Sequence, residues 1–187
     1  MPDVVFRLAR LDDLPSLNQL IESSARALSE GFYTPEEIDA ATRYVFGVDT
    51  TLVNDGTYYA GECGGEVVAC GGWSRRGALY GGDQRRMHEA PLLDPARDPA
   101  RIRAFFVHPS WARRGIGRRL LELCAAAARA EGYRSLELMA TLPGVPLYAA
   151  TGFREIEPVR DLMPNGVTVR FVRMRKVLGD ESEGPGG

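Results

Sequence analysis

The sequence predicts a mixed α/β fold, because β-rich and helical segments follow one another without a regular strand–helix–strand repeat. Short runs of β-branched and aromatic residues joined at glycine-rich turns indicate several hairpins. Longer segments with an apolar residue every three or four positions indicate amphipathic helices. With 187 residues, the chain has the length of one domain with its own core.

The N-terminal part is predicted to form a strand at residues 4–8 followed by two helices. Asp12 or Asp13 stands where it would cap the first helix. The apolar stripe of that helix comprises Leu14, Leu17, Leu20, Ile21, Ala25 and Leu28. Residues 34–37, Thr-Pro-Glu-Glu, form a capping box with proline at the first helical position. The second helix is therefore expected to run from there to about Val45.

The middle of the chain begins with a predicted hairpin, formed by strands at 57–63 and 66–73 joined at two glycines. Residues 74–100 follow, with glycines, prolines and charges but no sustained period. Because connections of this length are uncommon in a compact domain, the segment is a functional loop or a flexible one. A strand returns at 101–107 and ends at a His-Pro pair.

The C-terminal part is predicted to begin with a helix over residues 118–130. Its core-facing residues are Leu120, Leu121, Cys124, Ala127 and Ala128. A strand at 135–139 and a short helix at 146–150 come next. Strands at 153–157 and 167–175, joined through an Asn-Gly turn, complete the sheet.

Composition excludes several classes of function. The net charge of -2 and the pI near 5.8 argue against an electrostatic nucleic-acid binder. The cysteines Cys63, Cys70 and Cys124 fit neither a disulfide framework nor a metal-binding pair, which favours a reducing, cytoplasmic location. No apolar stretch has the length of a signal peptide core or a membrane span, so we expect no membrane association. Residues 179–187 have no apolar side chain to bury and are expected to form a disordered tail.

The most informative segment is residues 105–121, FFVHPSWARRGIGRRLL, in which a strand and a turn lead to a helix opened by Gly115 and Gly117. A helix N-terminus presents unpaired N–H groups and about half a positive charge. Glycine lets an anion approach the backbone, so the pattern is typical of a phosphate or pyrophosphate site with arginines beside it. An ordinary strand-to-helix turn is the alternative that G-x-G alone leaves open. Leu120 at the third glycine position excludes a Rossmann fingerprint, and the lack of a nearby lysine excludes a P-loop.

Two motifs carry a resemblance to a known family. Residues 107–121, V-H-P-x-W-x-R-R-G-I-G-x-x-L-L, resemble the acetyl-CoA motif of the GNAT acetyltransferases, usually written Q/R-x-x-G-x-G/A after a strand ending in V-x-P. LYAATGF at 147–153 resembles the family's F/L-Y-x-x-x-G-F segment at the expected distance. With the N-terminal strand and helices in the same order, the resemblance covers about residues 4–176. The family's Gln/Arg position falls on Ala112, and the two arginines after it are the candidates to supply that charge.

The resemblance implies a single GNAT domain over residues 1–178, with a mixed, mostly antiparallel twisted sheet flanked by helices. The sheet should splay between the strands at 101–107 and 135–139. The pantetheine arm of acetyl-CoA would lie in that gap and pair with the backbone at Phe106 and Val107, with the pyrophosphate on residues 113–118 and the phenylalanine side chains packed in the core. The implied cofactor-binding residues are Phe105, Phe106, Val107, Arg113, Arg114, Gly115, Ile116, Gly117 and Arg118.

The implied reaction is transfer of an acetyl group from acetyl-CoA to an amine, on a small molecule or a peptide, by direct attack in a ternary complex without a metal. Tyr148 matches the family's general acid for the leaving thiolate, and the backbone N–H of Val107 is the implied oxyanion donor. A tyrosine that only packs is the alternative interpretation of Tyr148. A non-catalytic acyl-CoA sensor and a scaffold domain without a cofactor are the alternative functions. Many family members dimerise, so a homodimer is an open alternative.

The general base and the acceptor are not identified by the sequence, because the strand at 101–107 carries no carboxylate. The candidate bases are Glu62, His88, Glu89, His108 and Glu137, each with an ordinary structural role as the alternative. The resemblance places acceptor recognition at about residues 28–45 and 74–100. The aromatic residues available to line an acceptor pocket, or to pack in the core, are Tyr33, Tyr44, Trp73 and Tyr80.

Overall fold

A seven-stranded sheet forms the centre of the protein, in a computed structural model that describes residues 3–85 and 90–179. Its strands are β1 Val5–Leu8, β2 Tyr58–Cys63, β3 Glu66–Ser74, β4 Ala100–Val107, β5 Ser135–Thr141, β6 Arg154–Leu162 and β7 Thr168–Val177. The spatial order is β1-β2-β3-β4-β5-β7-β6. Every neighbouring pair is antiparallel except β4 and β5, which are parallel. The expected mixed, mostly antiparallel sheet is confirmed.

Five α-helices flank this sheet within the described residues: α1 Leu14–Ser29, α2 Pro35–Tyr44, α3 Thr50–Asn54, α4 Ile116–Ala130 and α5 Val145–Ala150. The capping box of α2 is confirmed, because Thr34 Oγ1 accepts from the Glu37 N–H at 3.2 Å and the Glu37 carboxylate accepts from the Thr34 N–H at 2.9 Å. Asp13 stands at the N-cap position of α1, as expected, but the expected cap by its side chain is wrong. Asp13 makes no capping bond to α1 and is instead paired with Arg7.

The two faces of the sheet are covered by different helices. On one face α4 and α5 pack through Leu120, Cys124, Ala128 and Tyr148 against Trp73, Ile102, Leu136 and Leu138. On the other face α1 and α3 pack through Leu17, Ile21 and Leu52 against Tyr58, Ala60 and Cys70, and α2 packs near the β7 end. Leu28, expected in the α1 stripe, is 36% exposed and lies at its margin.

The sheet splays between β4 and β5, as the resemblance implied. These strands pair only at Ala100 with Leu136 and at Arg101 with Glu137. Beyond that point β4 continues along β3 as far as Val107, while β5 continues along β7 as far as Thr141. A wedge-shaped gap therefore opens inside the sheet, with strand backbone on both of its sides.

Three features of the fold differ from expectation or extend it. Helix α3 was not predicted, and Asp49 caps it by accepting from the Thr51 N–H at 2.9 Å. Strand β6 continues to Leu162 rather than ending at residue 157. Within the long 74–100 connection, the described part contains a 3₁₀ turn at Asp83–Arg85 and an isolated bridge between Arg76 and Leu92. Residues 86–89 and the predicted tail after Gly179 lie outside the described residues.

Candidate active site

The edge of β4 that faces the gap is set by its hydrogen-bond register. The His108 N–H donates to the Val68 carbonyl at 2.8 Å, and Val107 stands opposite Ala69. Backbone groups alternate in direction along an antiparallel pair. The N–H and C=O of Val107 therefore point away from β3 and into the gap. Those of Phe106 point toward β3, so the expected backbone contact at Phe106 does not fit this register.

A β-bulge shapes β4 just before this edge. The register with β3 shifts between Cys70 and Gly72, and Ala104 adopts a positive φ of 50°. The Tyr58 hydroxyl donates to the Ala104 carbonyl at 2.8 Å, which satisfies that group at the bulge. Gly71 opposite the bulge makes room for the Phe105 ring, because a Cβ there would lie 2.6 Å from Phe105 Cδ2. Bulges of this kind re-aim side chains beside functional sites.

The side chains of the two phenylalanines separate to opposite faces of the sheet. Phe105 packs with the cluster beneath α4. Phe106 meets Phe46 edge to face on the other side, with ring centroids 5.5 Å apart. Both rings therefore pack against the protein interior, as expected of their side chains.

The start of α4 presents backbone N–H groups at one end of the gap. Gly115 is the N-cap with φ 75° and ψ 5°, and no side chain caps the helix. The Arg119 N–H closes the first turn of the helix by donating to the Gly115 carbonyl at 3.1 Å. The N–H groups of the first turn before it have no acceptor within the helix. Arg113 also has a positive φ, 62°, so two left-handed residues form a concave turn of the kind that binds anions.

Gly117 is the point where the two sequence motifs meet. A Cβ at Gly117 would lie 3.0 Å from Leu147 Cδ2, the first residue of the LYAATGF segment. The missing side chain thus lets the N-terminus of α4 lie close to α5. The anion-binding turn and Tyr148 are consequently held in one part of the molecule.

Exposed cations surround this turn. Arg113, Arg114 and Arg118 are exposed, and the guanidinium of Arg114 lies 5.0 Å from the centroid of the Trp111 ring. Arg119 is directed elsewhere, since its Nη2 donates to the Val4 carbonyl at 3.0 Å. Three arginines therefore surround the helix N-terminus even though Ala112 occupies the family's Gln/Arg position.

Tyr148 is almost enclosed on α5. Its side chain is 8% exposed, and its ring meets Phe153 edge to face at 5.7 Å. Burial, with a smaller contribution from the neighbouring Cys124, raises the pKa of the Tyr148 hydroxyl well above its usual range. The hydroxyl therefore stays protonated throughout the neutral pH range and is available only as a proton or hydrogen-bond donor.

A cleft that is partly open to solvent, with a cavity volume of about 60 Å³, runs through the gap. Tyr148, Phe105 and Leu138 line it, and these belong to the face covered by α4. The residues from the opposite face are Phe46, Tyr80, Phe106, Met139 and Phe171. The cleft thus connects the two faces of the sheet, with Tyr148 on the face covered by α4 and an aromatic pocket on the other.

The candidate bases within the described residues are all engaged elsewhere. Glu62 forms an ion pair with Arg7 at 2.6 Å. Glu137 is 1% exposed and pairs with Arg101 at 3.0 Å and Arg173 at 2.7 Å. His108 Nδ1 accepts from the Ser110 N–H at 3.1 Å. His88 and Glu89, the remaining candidates, lie outside the described residues.

The four aromatic candidates for an acceptor pocket have different environments. Tyr80 lines the cleft. Tyr33 is buried, and its hydroxyl donates to the Arg170 carbonyl at 2.6 Å and accepts from the Leu142 N–H at 3.0 Å. Burial raises the pKa of Tyr33 to about 12. Trp73 is packed against Tyr133 beneath α4, and Tyr44 lies beside Arg43. Tyr80 is therefore the one of the four that lines the cleft.

Arg103 is a cleft residue that the sequence did not single out. It is 3% exposed, and its guanidinium donates to the carbonyls of Ala78 at 3.1 Å and Gly81 at 2.6 Å and to Asp49 at 3.2 Å. These bonds fix residues 78–81 as one wall of the cleft. The sequence does contain an indication of this role, because Arg103 is a charged residue in the largely apolar strand RIRAFFV. A charged side chain buried in such a strand requires a partner.

An open gap within a sheet, next to a helix N-terminus that carries cations, defines a protein that binds an extended ligand with an anionic end. The chain belongs to the acetyltransferase (GNAT) family, whose model matches residues 17–153. No curated protein matches the chain in sequence. Among the residues that the structure describes, no helix is long and apolar enough to cross a membrane, and no group of three or more His, Cys, Asp or Glu is arranged to hold a metal ion.

Solved structures share this fold at low sequence identity. The chain is 18% identical to a GCN5-related N-acetyltransferase from Rhodopseudomonas palustris, with a TM-score of 0.70 over 95% of this chain and 98% of that one. It is 12% identical to the PaiA N-acetyltransferase of Thermoplasma acidophilum, solved with coenzyme A, with a TM-score of 0.63 over 94% and 99% of the two chains. It is 16% identical to yncA, a putative acetyltransferase from Salmonella typhimurium solved with acetyl-CoA, with a TM-score of 0.63 over 99% of each chain.

Proposed function

We propose that the protein is an N-acetyltransferase that transfers the acetyl group of acetyl-CoA to an amine by direct attack in a ternary complex. The observation that carries the proposal is the gap between β4 and β5, because Tyr148 lines the cleft within it and the register of β4 directs the Val107 backbone toward it. Membership of the acetyltransferase family and the two solved relatives that contain coenzyme A or acetyl-CoA support the choice of co-substrate.

The phosphates of acetyl-CoA would bind at the start of α4. The left-handed residues Arg113 and Gly115 lead into a helix whose first N–H groups are uncapped by a side chain, and the helix dipole favours an anion there, so the pyrophosphate would bind on the backbone of residues 113–118. The exposed side chains of Arg113, Arg114 and Arg118 add charge-assisted contacts. This combination fits a pyrophosphate, and it does not depend on a side chain at Ala112.

The acyl arm would lie along the open edge of β4. The Val107 N–H and C=O face the gap and have the polarity to pair with the amides of the pantetheine arm or to donate to a thioester oxygen. A donor placed where negative charge develops stabilises the transition state of acyl transfer. We assign the oxyanion contact to the Val107 N–H, and the adjoining cofactor contacts to the backbone at Phe105.

The reaction forms an N–C bond and breaks the C–S bond, while one proton moves from nitrogen to sulfur. The leaving thiolate resembles that of cysteine, with a pKa near 8.5. Tyr148 is protonated at neutral pH and would donate to the departing sulfur, although burial raises its pKa and so makes it a weaker acid than the thiol that forms. The resulting tyrosinate, being a strong base in this buried position, would recover a proton from the acetylated nitrogen.

A non-catalytic acyl-CoA sensor is the second candidate, and the burial of Tyr148 favours it. A ring that is 8% exposed and packed on Phe153 is explained by core packing alone. Such a protein would bind acetyl-CoA at the α4 turn but would not turn it over.

Two measurements on the whole protein test these functions. Calorimetric titration with acetyl-CoA should detect binding, and acetyl-CoA should raise the melting temperature because it binds the folded state. A panel of amines should then produce free thiol together with the acetylated amine. Binding without turnover of any amine would favour the sensor, while the absence of binding would contradict both functions.

A further inference from the structure

The acceptor side of the cleft is an aromatic pocket formed by Phe46, Tyr80, Phe106 and Phe171. The rings of Phe46 and Phe106 meet edge to face at 5.5 Å, and those of Tyr80 and Phe171 lie 5.5 Å apart. This aromatic pocket opens on the face covered by α1 and α2, opposite the α4 face that carries Tyr148. If acetyl-CoA enters from the α4 side, the acceptor approaches through these rings.

The charged groups around the aromatic pocket are already paired. Arg103 is bound to Asp49 and to two backbone carbonyls, as described above. Arg85 forms an ion pair with Asp161 at 2.6 Å, and the Tyr80 hydroxyl donates to the same carboxylate at 2.7 Å. Within 3–85 and 90–179, no aspartate or glutamate lines the cleft. A second or third positive charge on the acceptor would therefore meet no counter-charge among the described residues that line the cleft.

The basicity of the acceptor follows from the same arrangement. An amine must be neutral to attack, and a lysine-like amine is neutral in only about one part in a few thousand at pH 7. An α-amine, with a pKa near 8, is neutral in about one part in ten at that pH. Because the candidate bases among the described residues, Glu62, Glu137 and His108, are bound elsewhere, a weakly basic amine is the kind that this cleft can use without a base from these residues.

We infer that the acceptor is a small monoamine with a weakly basic amino group on an apolar, ring-bearing body, which the aromatic pocket holds beside the thioester. The inference rests on the proposed acetyltransferase function. It specifies the substrate class by the shape and charge of the pocket and excludes polyamines and lysine-rich peptides.

Four amines test the inference with the whole protein and acetyl-CoA at pH 7. Phenylalanine amide has both a ring and a weakly basic amine, 2-phenylethylamine has the ring alone, glycine amide has the weak basicity alone, and spermidine is a polycation. Phenylalanine amide should have the highest kcat/KM, exceeding 2-phenylethylamine by about 100-fold because of the neutral fraction. It should exceed glycine amide by about 10-fold or more because the ring is buried on binding.

The order of the four rates separates the two proposals. Preference for spermidine, equal rates for glycine amide and phenylalanine amide, or equal rates for the two ring-bearing amines would overturn the inference and leave the acetyltransferase function intact. Turnover of none of the four, with acetyl-CoA still bound, would count against the enzyme and the inference together.

A matched pair of variants locates the effect in the pocket. Tyr80→Leu removes the ring, and Tyr80→Phe keeps the ring but loses the bond to Asp161. The Leu variant should raise KM for phenylalanine amide about 10-fold, with KM for glycine amide and the affinity for acetyl-CoA unchanged. The Phe variant, which keeps the ring, should raise KM for phenylalanine amide much less than the Leu variant does. An unchanged KM for phenylalanine amide in folded Tyr80→Leu, or a rise in Tyr80→Phe equal to that in Tyr80→Leu, would overturn the inference.

Discussion

Arg101 and Glu137 form an ion pair of 3.0 Å at the last position where β4 and β5 are paired. Glu137 is 1% exposed and also binds Arg173 of β7 at 2.7 Å. One buried carboxylate thus joins three neighbouring strands at the closed end of the gap. Burial lowers the pKa of Arg101, opposed by the attraction of Glu137. The pair therefore stabilises the sheet at the point beyond which the strands must separate to admit a ligand.

Neutralising this carboxylate should destabilise the fold. Glu137→Gln removes the carboxylate that pairs with Arg101 and leaves Arg173 with the exposed Glu157 alone, and breaking a buried ion pair typically costs about 3–5 kcal/mol. Glu157→Gln is the matched control, because Glu157 binds the same Arg173 but is 54% exposed, and its loss should cost under about 1 kcal/mol. Denaturant unfolding measures both values. Equal losses in the two variants would show that the buried pair adds nothing to stability.

A second ion pair makes stability depend on pH in the acid range. Both Arg7 Nη atoms donate to the Asp13 carboxylate, at 2.7 and 2.8 Å, and these bonds lower the pKa of Asp13 to about 2. A lowered pKa in the folded state contributes stability above the unfolded value near 4, and this stability is lost as the pH falls toward 2. The pKa of Asp13 is about 4 in the unfolded state and about 2 in the folded state, so its effect on stability is lost between these pH values. The free energy of unfolding of Asp13→Asn should therefore decline less from about pH 4 to about pH 2 than that of the wild type. Parallel declines in urea unfolding would contradict this.

Much of the fold could be predicted because its signals are local. The Thr34 capping box, the glycine turns and the alternating strands each depend on a few neighbouring residues. Helix α3 was missed because it has only five residues, too few to show a helical period. The end of β6 was missed because its residues are mostly exposed and Pro158 interrupts the pattern, which an edge strand tolerates. The Asp13 cap failed because Arg7, on a separate strand, binds the same carboxylate.

The parts of the site that depend on neighbouring residues could likewise be predicted, whereas the parts that depend on distant residues could not. The turn at Gly115 is contained in one continuous motif, so its position was evident from the sequence. The direction of the Val107 and Phe106 backbone depends on the register with β3 and on the bulge at Ala104. The aromatic pocket combines Phe46, Tyr80 and Phe171 from distant parts of the chain. No spacing within the sequence encodes that arrangement.

The phosphate position is tested at Gly117. Gly117→Asp places a carboxylate at the start of α4. The helix dipole stabilises a negative charge there, but the carboxylate repels a bound pyrophosphate. The affinity for acetyl-CoA should fall about 10-fold or more, equivalent to about 1.4 kcal/mol, while the fold survives. Gly117→Ala is the control, since its Cβ would only press on the flexible end of Leu147 at 3.0 Å. If calorimetry finds the same affinity for the Asp and Ala variants, the pyrophosphate binds elsewhere.

The role of Tyr148 can be separated from its packing. Tyr148→Phe keeps the ring against Phe153 and removes only the hydroxyl, so stability and acetyl-CoA affinity should change little. If the hydroxyl donates a proton to the leaving sulfur, kcat should drop by about 100-fold or more. Tyr133→Phe is the control, because it removes a hydroxyl that donates to the Leu93 carbonyl on the same face of the sheet, and its kcat should stay near the wild-type value.

The measurement requires an amine that the wild-type protein acetylates, with chemistry as the slow step. Burial raises the pKa of Tyr148, so the loss in kcat should be the same at pH 7 and pH 8, since the hydroxyl is protonated at both. A structural defect would instead lower the melting temperature along with kcat. Turnover of Tyr148→Phe equal to that of Tyr133→Phe would assign the ring to packing alone. Water would then be the source of the proton for the departing thiolate.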